Sequence, residues 1–381
     1  MSISVTETFV PRRLVVGALQ EFKLLTPFLG IVGLYIAGVW AVATYFGLNS
    51  YFQPALYSHI VHLTAVLALP VGAIAYILYL MIGARERHPL GRLKRDLVAN
   101  ILSPRGVVGW TLPLAVLSYF VSTFSSMKTM IAVLNPFYLD PALSKIDTFL
   151  HFGIAPWRIT HFLFGGFTGT MALNVLYNAW LFIMWIYLLC QIFGLAGSNH
   201  RARYLLSFAL CWIVIGSVLA LLLSSAGPCY YGRVVGYPDP YAPLMNALHA
   251  VNAPREAAGS YWYIWSLKTQ DVLWSDYFLS TSRLGSGISA MPSMHISMAY
   301  LMAFSAMRIS RWFGRAMLAY AIAISIGSVH LGWHYAVDGY VSILATYLIW
   351  KLAGHVVDRL DRAPSKADEG DGVRYAVQTA S

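Results

Sequence analysis

The chain has 381 residues, 58% of them hydrophobic and 11% charged, with a formal net charge of +10. Soluble domains average about 45–50% apolar and about 25% charged residues, and disordered chains are less apolar still. The composition therefore excludes a water-soluble globular enzyme and a disordered chain, and a mean hydropathy of +0.61 makes lipid the main solvent.

A membrane span needs about 20 mostly apolar residues. Eight runs meet or approach that length: 24–47, 59–83, 106–126, 168–193, 204–226, 291–307, 315–333 and 334–354. The predicted fold is all-α, a polytopic membrane protein of about eight transmembrane helices. No cleavable signal peptide is expected, because no small-residue cleavage pattern follows the first run. Basic residues cluster at the N-terminus, in the 84–105 loop, in the 194–203 and 307–316 loops and after Lys351. Those clusters share one parity of the span count and hold 19 of the 26 Lys and Arg residues. The positive-inside rule then puts both termini in the cytoplasm. The basic excess reports orientation, and no nucleic-acid partner is expected. Oligomeric state is not legible.

Between the runs, residues 127–167 carry a helical stripe of Leu139, Leu143, Ile146, Phe149 and Leu150, with Asp140, Lys145 and Asp147 interleaved. Two readings stand: a helix lying in the membrane interface, or a packed loop helix. Residues 227–290 are rich in Tyr and Trp, including Tyr230, Tyr231, Tyr261, Trp262, Trp265 and Trp274. They read either as a lid or as an aromatic belt. Cys190, Cys211 and Cys229 are odd in number and widely spaced, so no disulfide framework is expected. The stretch after about 355 reads as a disordered cytoplasmic tail.

Three segments fall at one predicted membrane depth, on the extracytoplasmic side. They are Gly227-Pro228-Cys229-Tyr230-Tyr231-Gly232-Arg233, Ala290-Met291-Pro292-Ser293-Met294-His295, and Gly327 through Asp338. His334 and Asp338 are four apart on a predicted helix and share a face. A carboxylate on the Nδ1 proton of His334 leaves Nε2 as nucleophile or base. Pro292 suits the first position of a helix. The free N–H groups after it, with the Ser293 hydroxyl, suit a phosphate. His295, one turn in, can protonate a leaving oxygen, and Arg233 can pair with phosphate. A carboxylate such as Asp338 inside an apolar run is functional by default. His330, His334 and Asp338 also have spacing that suits a metal. Transport is a further alternative, although transporters place their ionisable groups near the midplane.

At these residues the sequence resembles the type 2 phosphatidic acid phosphatase superfamily of membrane phosphatases and phosphotransferases. Pro292-Ser293-Met294-His295 matches its Pro-Ser-x-His block. Gly332-Trp333-His334-Tyr335-Ala336-Val337-Asp338 matches its Gly-x-His-Tyr-x-x-Asp block. The resemblance implies a six-helix catalytic core over 106–354, with 1–105 adding two helices. It implies His334 as the nucleophile forming phosphohistidine, Asp338 orienting it, and His295 as the acid. It implies membrane lipids and a phosphorylated lipid as partners, with no metal and no cofactor. Two departures stand out. The family's Lys-x6-Arg-Pro block is absent, and Gly327-Ser328 stand where Ser-Arg opens the third block. Both departures are shared with the branch resembling inositol phosphorylceramide synthases. Asp140-Pro141 through Gly153, then Pro156-Trp157-Arg158, also resembles loops of that branch.

Overall fold

The computed structural model describes residues 12–58, 70, 72–193, 197–279 and 287–362. In chain order the principal helices are α1 (Arg12–Tyr45), α2 (Gly72–Gly83), α3 (Pro89–Asp96), α4 (Pro104–Leu134), α5 (Asp140–Leu150) and α6 (Pro156–Phe164). They continue as α7 (Gly166–Ile192), α8 (Ser198–Leu222), α9 (Ala242–Ala257), α10 (Trp265–Phe278), α11 (Met294–Ile309), α12 (Arg311–His330) and α13 (Ala336–Arg362). The described residues contain no strand. Proline opens several of these helices, with Pro104, Pro141 and Pro156 in first turns whose N–H groups need no intrahelical partner.

Six helices are long and apolar enough to cross a membrane, α1, α4, α7, α8, α12 and α13. They coincide with six of the eight apolar runs. The sixth run becomes α11, which has only 16 residues. Of the second run, α2 is the described helical part, and 59–69 lies outside the described residues. Helix α13 continues to Arg362, past the expected core boundary, and the rest of the expected tail lies outside the described residues. Large apolar side chains such as Leu34, Phe182, Ile186, Leu348 and Leu352 are exposed on the outer faces of the long helices. Those faces suit lipid, and the fold is that of a multi-pass membrane protein.

In lipid, packing and polar contacts hold helices together, because tails are as apolar as leucine. Helix α11 is the hub, packed on α12, α13, α7 and α8. Its approach to α13 needs Gly339, where an added Cβ would sit 2.8 Å from Ile296 Cδ1. Two turns along α13 from Gly339, Thr346 shares a buried 2.7 Å hydrogen bond with Ser297 of α11. Helix α1 is packed on α4 and α8, and its Leu24, Leu25 and Phe28 join the same core as α11. At the opposite end from the candidate site, buried Glu21 of α1 pairs with Arg201 of α8 and with Arg105 of α4 at 3.2 Å. Removing one partner of such a buried pair is costly.

The ends of α4, α8 and α12 and the starts of α11 and α13 lie at one end of the bundle, joined by the 135–165 and 223–293 connections. Helix α5 sits there with an unexpected orientation. Its Asp140, Leu143, Ser144 and Asp147 are buried, whereas Ile146, Phe149 and Leu150 of the apolar stripe are exposed. The two carboxylates turn inward because backbone donors await them there.

Candidate functional site

Helix α13 begins inside the third motif, and its start is fixed by Asp147. The Asp147 carboxylate accepts the Ala336 and Val337 N–H groups, each at 2.9 Å, serving two donors that a helix start leaves unsatisfied. Burial pushes the Asp147 carboxyl above its ordinary range, opposed by those two N–H groups. Just before the helix, His334 Nδ1 lies 3.3 Å from Asp338 Oδ2. The same oxygen accepts the Tyr335 N–H at 3.1 Å. Both side chains are buried, Asp338 completely. With Nδ1–H donating to the carboxylate, His334 keeps its lone pair on Nε2.

His295 lies across from His334, with ring centroids 6.2 Å apart. Ser293 is the N-cap of α11 and its hydroxyl accepts the Ile296 N–H at 3.4 Å. Helix α11 therefore starts at Met294, two residues later than Pro292 led the sequence reading to expect. The His295 ring is held between two rings of α7, Tyr177 at 4.6 Å and Trp180 at 4.2 Å. Tyr177 also stacks on Trp333, at 6.2 Å. Aromatic neighbours fix an imidazole plane without taking its nitrogens.

The first segment and Ser225 just before it meet the other two by hydrogen bonds to backbone groups. Ser225 O accepts the Ala290 N–H at 2.9 Å, and Ser225 Oγ accepts the Met291 N–H at 3.1 Å. The Cys229 N–H donates to Gly332 O at 2.9 Å. Gly227 has φ +99°, and an added Cβ would sit 2.7 Å from Trp333 O. Asp140 secures the assembly. Its Oδ2 accepts the Ala226 N–H at 2.9 Å, and its Oδ1 accepts the Gly227 N–H and the Tyr335 hydroxyl, each at 2.8 Å. Burial and the neighbouring carboxylate push the Tyr335 phenol up, so it remains a donor. The 225–229 stretch thus splints the second and third motifs together.

The structure brings His295, His334 and Asp338 together with Ser293 at the start of α11, and pairs Arg233 with Asp271. The Arg233 guanidinium donates to Asp271 at 3.0 Å and lies over the Trp274 ring, with its side chain 45% exposed. His330 points away from the pair. Its Nε2 meets Thr170 Oγ1 at 2.9 Å and its ring stacks on His161 at 4.0 Å. The described residues hold no cluster of three or more His, Cys, Asp or Glu suited to a metal.

Sequence reasoning missed Tyr177, Trp180, Asp140, Asp147 and Ser225. The rings lie in an apolar run that offers no contrast. The carboxylates gave a signal in their interruption of an apolar stripe, which fits an interface helix and a packed loop helix equally.

A multi-pass helical bundle with a His–Asp pair facing a second histidine at one end defines a class of membrane protein. The PAP2 superfamily profile matches residues 141–352, more than half of the chain, and the protein belongs to that family. No curated protein and no solved structure matches the chain.

Proposed function

We propose that the protein transfers phosphoryl or phospho-headgroup units on lipid substrates through a phosphohistidine at His334. The observation that carries this reading is the buried His334–Asp338 pair facing His295 across 6.2 Å. His334 Nε2 attacks phosphorus and the bond to the leaving oxygen breaks. That oxygen takes its proton from His295. In the second half, water or a lipid hydroxyl gives its proton to His295 and attacks phosphorus. The P–N bond then breaks and free His334 returns. With water as acceptor the protein is a lipid phosphatase; with a lipid hydroxyl it is a headgroup transferase. The missing family lysine and arginines favour the second, as in the branch resembling inositol phosphorylceramide synthases. The Lys and Arg asymmetry supports an active site on the extracytoplasmic face of the cell membrane, with both termini inside.

The test is incubation of the purified chain with defined lipids, followed by mass spectrometry of the products. The parental protein should release phosphate or move a headgroup, and His334→Ala should do neither. Turnover by His334→Ala at the parental rate refutes the nucleophile assignment.

A further inference from the structure

Phosphohistidine chemistry needs a cation beside the phosphate, because charge on the equatorial oxygens must be stabilised as the bond breaks. The positions that supply it in the typical family pattern are unfilled here, and Arg233 is occupied by Asp271. A cation from outside the familiar motifs stands close by. Lys128 belongs to α4, six residues before its end at Leu134, which is about 9 Å of helix rise. It precedes the family-matched region.

Four observations distinguish this lysine. Its charge lies within electrostatic reach of the His295 ring. It has no ion-pair partner among the described residues. An unpaired ammonium within an apolar helix is expensive, so function is the first expectation. It lines a cavity of about 330 Å³ together with Tyr51, Asp276, Tyr277, Gly287 and Ile288. That volume falls within the range of small-molecule sites, roughly 300–1,000 Å³. Finally, Gly287 packs directly on it, because an added Cβ there would sit 2.9 Å from Lys128 O and 3.1 Å from Lys128 Cγ. Gly287 and Ile288 lie on the segment that leads into the Pro292–His295 motif. A lysine that merely snorkelled to the membrane surface would carry its charge away from His295.

We infer that Lys128 is the phosphate-holding cation of this site, and that the cavity beside it admits the phosphate-bearing end of a mono- or diester substrate. This rests on the phosphohistidine reading above. Tyr51 reaches the cavity because the 51–58 segment docks on α4, with the Gln53 and Tyr57 N–H groups donating to Ser126 and Ser122 at 2.9 Å. The N-terminal region therefore contributes to the substrate path.

The experiment uses the full chain in detergent micelles with orthovanadate and inorganic phosphate as probes. Binding is followed by calorimetry, and KM is measured on phosphatidic acid in mixed micelles and on glycerol 3-phosphate. Lys128→Met should weaken both anions at least about tenfold and raise KM for whichever substrate is accepted. Lys128→Arg should stay within about threefold of the parent. The methionine keeps the stem and its packing, and its thermal midpoint, read in the same preparation, separates weaker binding from misfolding. Parental anion affinity in Lys128→Met, while the parent turns over substrate and His334→Ala does not, overturns the lysine assignment alone. Equal loss in the arginine and methionine variants overturns the argument from charge. A parent that does not bind orthovanadate and turns over substrate no faster than His334→Ala overturns the phosphohistidine reading and this inference together.

Discussion

Asp140 offers the sharpest test of how the site is assembled. It receives three hydrogen bonds from two segments far apart in sequence, the Ala226 and Gly227 N–H groups and the Tyr335 hydroxyl, and is itself 1% exposed. Asp140→Asn can keep an oxygen at Oδ1 for Gly227 and Tyr335. Its amide NH2 then faces the Ala226 N–H, donor against donor. Hydrogen bonds to charged groups contribute about 1.5–3 kcal/mol, and a buried donor without a partner costs about 1–3 kcal/mol. The variant should therefore lose about 3 kcal/mol. At about 2.1 cal/mol/K per residue, the chain's unfolding entropy is near 0.8 kcal/mol/K, so the midpoint should fall by about 4 °C. Tyr335→Phe removes one donor and should fall by about 2 °C on the same scale. Tyr335 adjoins His334, so both variants should lower kcat more than they raise KM. The assay is thermal unfolding in detergent micelles beside turnover on the lipid substrate. A midpoint within about 1 °C of the parent, with unchanged kcat, would refute the splint.

Asp338→Asn should cut turnover about 100-fold or more while leaving the thermal midpoint near the parental value, because the tautomer and orientation of His334 are lost. Loss of folding without a separate turnover defect would make Asp338 structural. Asp147→Ala strips the cap from α13 and should lower stability by about 2 kcal/mol, read as a midpoint shift of about 2–3 °C. His161 gives a pH dependence. Burial lowers its pKa in the folded state, opposed by its contact with His330 O. Above about 6.5, the ordinary histidine value, the ring is neutral in both states. As pH falls below that, the unfolded chain takes the proton first and stability drops. His161→Gln should flatten the acid limb of the midpoint-versus-pH curve between about pH 7 and 5. An unchanged limb points to another group.

The long helices were legible because lipid demands uninterrupted apolar runs, and six runs became helices of sufficient length. The order of the motifs was legible too, since Pro292–His295 and Gly332–Asp338 are short and local. What escaped depends on tertiary neighbours. Asp140 and Asp147 merely interrupt an apolar stripe in the sequence, yet they are buried because each meets backbone donors supplied by distant segments. Tyr177 and Trp180 are indistinguishable from other apolar residues of α7 until His295 appears between them. Arg233 sits close to the right place in sequence, but its surface partner Asp271 lies on α10, 38 residues on. Helix α11 started late because a serine hydroxyl, not a proline ring, satisfies its first turn.

The close approach of Gly227 to the Trp333 carbonyl limits which side chains this joint can carry. A long basic side chain cannot arise at 227 by single substitution. Its Cβ would meet a backbone oxygen at 2.7 Å, at a φ of +99°. Its neighbours Ser225 and Cys229 are already committed through their own backbone groups. With this stretch fixed as a joint between the second and third motifs, side-chain variation has more room at other walls of the site.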